Sequence, residues 1–146
     1  MIGVKDRSNT SEDDGDAILV DVHVLIQQLR DTNYPKRRVR AAIALEEIND
    51  PRAVSALIEG LQDEDAELRK YSAKALVRLQ SIRSVEALIE ILRNPDEHWL
   101  TRKYAAEALG KIRGPRAIAA LNETLSDAEP AVREVAVAAI RIDNRH

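Results

Sequence analysis

Three histidines, no cysteine and a scatter of serines are what this 146-residue sequence offers for metal or nucleophilic chemistry. His23 is followed by Val24 and His98 by Trp99, and His146 is the last residue. Without cysteine there is neither a thiolate zinc site nor a disulfide. No serine stands in a Gly-x-Ser-x-Gly elbow. Ser55, Ser72, Ser81 and Ser84 are expected on helix surfaces or boundaries. The five glycines, Gly3, Gly15, Gly60, Gly110 and Gly114, are too dispersed to cradle a phosphate. Glu46 and Glu47 are adjacent carboxylates on an exposed helical stretch, a solvated face and not an acid/base pair. The residues therefore predict no catalytic group, no metal site and no cofactor, and the chain is expected not to be an enzyme.

What must position any other function is a helical framework. Hydrophobic residues make up 45% and charged residues 32% of the chain, which excludes both a wholly disordered polymer and a membrane-embedded one. With no Phe, one Trp and three Tyr, the core has to be Leu, Ile, Val and Ala. Five Gly and five Pro are few for a β-sandwich or barrel. No apolar run approaches the roughly 18 residues of a membrane span, and there is no signal-peptide core. A cytoplasmic setting is expected. Residues 1–15 are polar and read as a flexible acidic leader.

From Asp16 onward apolar residues recur at three- and four-residue spacing, as in Val22, Leu25, Ile26 and Leu29, or Val54, Leu57, Ile58 and Leu61. These stripes repeat. Val22-His23-Val24-Leu25-Ile26 aligns with Val54-Ser55-Ala56-Leu57-Ile58, with Val85-Glu86-Ala87-Leu88-Ile89 and with Ile118-Ala119-Ala120-Leu121-Asn122. Ala41-Ala42-Ile43-Ala44-Leu45 aligns in the same way with segments starting at Ser72, Ala105 and Ala136. Each repeat, about 16–49, 50–80, 81–113 and 114–146, reads as a helical hairpin. Small Ala beside large aliphatic residues on the second helix lets neighbours approach closely, with Ala75 and Ala108 in the tightest slots. Pro51 and Pro115 follow Asp50 and Gly114 at repeat starts, where a missing N–H is tolerated.

The segments Asp50-Pro51-Arg52-Ala53-Val54 with Ala56-Leu57-Ile58, and Arg102-Lys103-Tyr104-Ala105-Ala106-Glu107-Ala108-Leu109-Gly110-Lys111-Ile112, resemble short HEAT repeats of the type named after phycobilisome (PBS) lyase subunits. The resemblance covers nearly all of 16–146. It implies an all-α, right-handed α-solenoid of four HEAT-like hairpins, about eight helices, and a scaffold that binds proteins. Another HEAT-like family, deoxyhypusine hydroxylase, holds iron through His-Glu pairs; here no His is followed by Glu, and the three His share no repeat position.

Asp63 precedes Arg69 by six residues, Asp96 precedes Arg102 by six, and Asp127 precedes Arg133 by six; Asp31 precedes Arg38 by seven. Stacked repeats would turn these pairs into a structural ladder in which each planar guanidinium bridges adjacent turns. The second helices carry fifteen basic against seven acidic side chains, an excess of about eight in a chain of net charge −3. In HEAT arrays these helices line the inner face, so an acidic protein is the expected partner. Lys70, Tyr71, Lys74, Lys103, Tyr104 and Lys111 are the candidate contacts. Nucleic acid is a weaker reading, with only Tyr71 and Tyr104 to stack bases. An accessory subunit acting on a tetrapyrrole protein, as a phycobilin lyase or in phycobilisome degradation, is a further alternative. Trp99, in the two-residue-longer turn of the third repeat, suits a packing or an anchoring role. The last helix, about 131–142, is apolar on more than one face and suggests self-association.

Overall fold

The computed structural model describes residues 21–144, with side chains through Arg141. The expected leader, residues 1–15, lies outside the described residues. Eight α-helices follow one another: α1 Val22–Arg30, α2 Pro35–Ile48, α3 Val54–Gly60, α4 Ala66–Leu79, α5 Val85–Arg93, α6 Trp99–Ile112, α7 Pro115–Glu123 and α8 Pro130–Asn144. Single 3-10 turns over Pro51–Ala53, Ile82–Ser84 and Thr124–Ser126 flank α3, α5 and α7. No strand occurs among the described residues. The helices pair as four hairpins, α1–α2, α3–α4, α5–α6 and α7–α8, stacked into an α-solenoid.

Local chemistry sets where each helix begins and stops. Asp21 and Asp65 cap α1 and α4 by accepting the N–H groups of His23 and Glu67, at 2.8 and 2.9 Å. Asp50 and Ser81 accept from Arg52 and Arg83 at the openings of the second and third hairpins. Second helices end on residues with positive φ: Asn49 at 57°, Gln80 at 53° and Arg113 at 66°. Gly114 continues at φ 90°, a conformation glycine tolerates best, and Pro115 then opens α7.

The second helices make the most extensive contacts, each with the second helix of the next hairpin. Small residues allow it. Ala42, Ala73, Ala75, Ala105, Ala106 and Ala108 are completely buried, as are Leu45, Leu76 and Leu109 one turn away. α6 and α8 come so close that a Cβ added at Gly110 would lie 3.0 Å from that of Ala139. Gly60 is tighter still, since its added Cβ would fall 2.2 Å from Ser72 Oγ. Ser72 occupies an alanine slot of the repeat, and its buried hydroxyl has no hydrogen-bond partner among the described residues.

Two stability changes follow. Ala108→Leu overpacks the α6 slot and should cost about 1–3 kcal/mol. Ser72→Ala removes an orphan hydroxyl and should stabilise by about 1 kcal/mol. Urea titration followed by circular dichroism measures both; an unchanged midpoint for the leucine variant contradicts the packing described.

Candidate functional site

Each second helix carries an arginine at its fourth residue: Arg38, Arg69, Arg102 and Arg133. One side of each guanidinium closes its own hairpin. Arg38 Nε donates to the Leu29 carbonyl at 2.8 Å, and Arg69 Nη1 to the Asp63 and Glu64 carbonyls at 2.9 and 3.0 Å. Arg102 Nη1 donates to the Glu97 carbonyl, and Arg133 Nη1 to those of Asp127 and Ala128 at 2.7 and 3.2 Å. The other side reaches the next hairpin's turn. Arg38 takes Asp63 at 2.7 Å, Arg69 takes Glu97 at 2.7 and 3.3 Å, and Arg102 takes Asp127 at 3.2 and 2.9 Å. Arg133 has the carbonyls and, among the described residues, no carboxylate.

Arg38, Arg69 and Arg102 thus each link their own turn to that of the following hairpin. The spacing pairs Asp63 with Arg69 and Asp96 with Arg102 and expects a bridge between adjacent turns; each of these two Arg engages its own turn through backbone carbonyls and makes its carboxylate contact on the following hairpin. Asp96 is not a rung. It is exposed, and its N–H donates to Asn94 Oδ1 at 2.9 Å. The reason is the longer third turn. Counted from the first apolar residue of each first helix, Asp31, Asp63, Asn94 and Asp127 stand at one position. Each accepts the N–H of the residue two further on. Asp63 and Asp127 perform both tasks, shaping the turn and receiving the neighbour's Arg. In the third hairpin Asn94 shapes the turn, and Glu97 receives Arg69.

Glu97 is the least accessible of these acids, its side chain only 2% exposed. Burial works against its ionisation, but Arg69 and the His98 N–H outweigh it and hold its pKa below the ordinary carboxylate value. Asp63 and Asp127 balance the same way, burial being overcome by Arg38 with the Asp65 N–H, and by Arg102 with the Glu129 N–H. Across the first helices the pairs Arg30–Glu59, Arg93–Glu123 and Arg116–Glu86 are about half exposed, and such pairs contribute little.

The expected basic face is partly neutralised. Lys70 pairs with Glu67 at 3.1 Å and lies 4.8 Å from the Tyr71 ring centre; Lys74 faces Glu46 at 3.8 Å. Lys103 and Lys111 have no ion-pair partner among the described residues, though Glu107 lies between them on α6. Tyr71 and Tyr104 are half-buried against the core, in the intermediate position their amphipathic rings suit. Trp99 opens α6, 38% exposed and stacked on His98 at 5.7 Å, while His98 Nδ1 caps that helix by accepting the Leu100 N–H. His23 is exposed in the first turn of α1. No three His, Cys, Asp or Glu side chains cluster to hold a metal among the described residues. The donor set that the deoxyhypusine hydroxylase resemblance implies for iron does not fit them.

Glu97→Gln should cost about 2 kcal/mol, less than a fully buried pair because Arg69 keeps some solvent, whereas Asp96→Asn should stay within about 0.5 kcal/mol. The folded-state pKa of each rung acid is depressed, so its stabilisation is complete above the unfolded value near pH 4 and is lost as pH falls through the folded value. Melting temperature should fall on acidification below about pH 4, and less steeply in Glu97→Gln. Equal costs for the two substitutions contradict the corrected ladder.

Comparison with known proteins supplies the context. The HEAT-repeat family description matches residues 22–100 and 85–141. Deoxyhypusine hydroxylase of Dictyostelium discoideum is 32% identical over 78 residues, 53% of this chain and 25% of that protein. The structure of human deoxyhypusine hydroxylase in complex with glycerol superposes with a TM-score of 0.73 at 34% identity, covering 86% of this chain and 44% of that one. The complex of CpcE and CpcF of phycocyanin lyase from Nostoc sp. PCC7120 gives a TM-score of 0.75 at 24% identity, covering 97% and 62%, a likeness of fold. The chain thus spans less than half of either hydroxylase. The expectation that it is not an enzyme is overturned here, because a protein similar to it over most of its length is one. No helix among the described residues is long and apolar enough to cross a membrane. With matches running through all four hairpins, the chain belongs to the HEAT-repeat family.

Proposed function

We propose that the chain is a protein-recognition module whose second-helix layer grips an acidic segment of its partner. The observation that carries this reading is on α6, where Lys103 and Lys111 stand two turns apart without an ion-pair partner among the described residues, beside half-buried Tyr104. Lys70, Tyr71 and Lys74 extend the same layer on α4, with their charges already engaged by Glu67 and Glu46. A half-buried Tyr with its hydroxyl at the surface loses little entropy on binding, and unpaired Lys adds a directional field. The likeness to the complex of CpcE and CpcF concerns the fold, and the tetrapyrrole-protein reading draws no residue from it.

Affinity purification from the native source identifies the partner, and titration then tests the face. The double variant Lys103→Glu with Lys111→Glu should weaken binding tenfold or more while leaving the melting curve in place, because exposed charges contribute little to stability. Raising salt should weaken the unsubstituted protein more than the variant. Unchanged affinity moves the recognition surface elsewhere. Tight, steeply salt-dependent binding of DNA or RNA favours the phosphate reading instead.

A further inference from the structure

The ladder has two loose ends. Arg38, Arg69 and Arg102 each reach a carboxylate on the following hairpin, and Arg133 holds only its own turn carbonyls. On the first described hairpin, Asp31 shapes its turn like Asp63 and Asp127, yet among the described residues it receives only the Asn33 N–H, at 3.1 Å, and no arginine. Among the described residues, a donor fork without an acid and an acid without a donor fork thus stand on the last and the first described hairpin.

The packing surface repeats the pattern. Ala42, Ala73 and Ala106 are fully buried where each second helix meets the next hairpin. The equivalent residue of α8 is Val137, which is only half-buried and lines a shallow groove with Pro130, Arg133, Glu134, Ala138 and Arg141. On the receiving side, Ala139 of α8 lies against Gly110 of the preceding second helix; its counterparts Ala75 and Ala108 are fully buried, whereas Ala44 on α2 is partly open.

We propose that copies of this chain associate head to tail, the Arg133–Val137 face of one taking the Asp31–Ala44 face of the next. Arg133 then donates to Asp31 as Arg102 donates to Asp127 within the chain, and the apolar groove is covered. The contact is heterologous, so it propagates into short rods or a closed ring and not a two-fold dimer. The self-association expected of the last helix thereby acquires a definite mate. The inference is independent of the second-helix recognition face.

Sedimentation of the full chain over a concentration series tests it. The unsubstituted protein should form assemblies that grow with concentration. Arg133→Glu and Asp31→Arg should each raise the concentration required by about tenfold or more. The double variant carries a reversed but complementary pair and should regain association. Val137→Asp, which leaves the arginine in place, should also weaken assembly, guarding against a local effect on the turn that Arg133 holds. Circular dichroism verifies that each variant is folded. A monomer at every concentration, association indifferent to Arg133→Glu, or a double variant no better than the singles would each overturn the proposal.

Discussion

In a stack of hairpins each unit touches only its neighbours, so a fault in the setting of one hairpin on the next is passed along the array. Apolar packing fixes the distance between second helices but discriminates weakly against small slides, because alanine rows are smooth. The arginine at the fourth residue of each second helix removes that freedom. Its backbone contacts tie it to one turn and its carboxylate contact ties the next turn to it, so a single planar group fixes both the closure of a hairpin and the register of its successor. The burial of Glu97 and the near-burial of Arg102 are consequences: groups this desolvated persist only when their hydrogen-bonding capacity is used.

Most of this framework was legible in the sequence, since a repeat exposes its own periodicity. The four stripes, the alanine slots and the proline-led starts all correspond to elements observed. The rung at the third hairpin was misread for a physical reason. Counting back from an arginine assumes turns of equal length, and the third turn has extra residues. Counting forward from the first helix finds Asn94, whose amide cannot carry the negative charge that Arg69 requires; a nearby buried acid must supply it, and Glu97 does. The direction of each contact, to the following hairpin and not within its own, was invisible to spacing because it depends on how hairpins stack. The candidate face was legible only as a list of residue types. Lys70 and Lys74 lose much of their expected field to Glu67 and Glu46, and the Glu46 contact spans neighbouring hairpins.

Similarity to an enzyme and the presence of its reacting groups are separate observations. A HEAT hairpin constrains its alanine slots, leucine rows and turn arginines through packing, and those positions are shared by any protein built this way. Reaction chemistry lives on side chains that packing leaves free. Fold likeness to an enzyme therefore overturns the expectation of inactivity without placing a catalytic group on any residue described, and the His-Glu pairs implied by that family have no counterpart in this sequence.

The first and last described hairpins show what a contact between neighbours does by withholding it. Inside the stack, a fully buried alanine and a satisfied guanidinium coincide on every second helix that has a successor. On α8 both are changed together: the small residue becomes Val137, and Arg133 meets no acid among the described residues. The same loss appears inverted on the first hairpin, with Asp31 and Ala44. Since Arg133 remains oriented by two carbonyls, the geometry of a rung is already organised before any acid arrives, and little conformational freedom is left to be lost on docking. Repetition thus gives the first and last described hairpins complementary chemistry, set by what each hairpin between them needs from its neighbour.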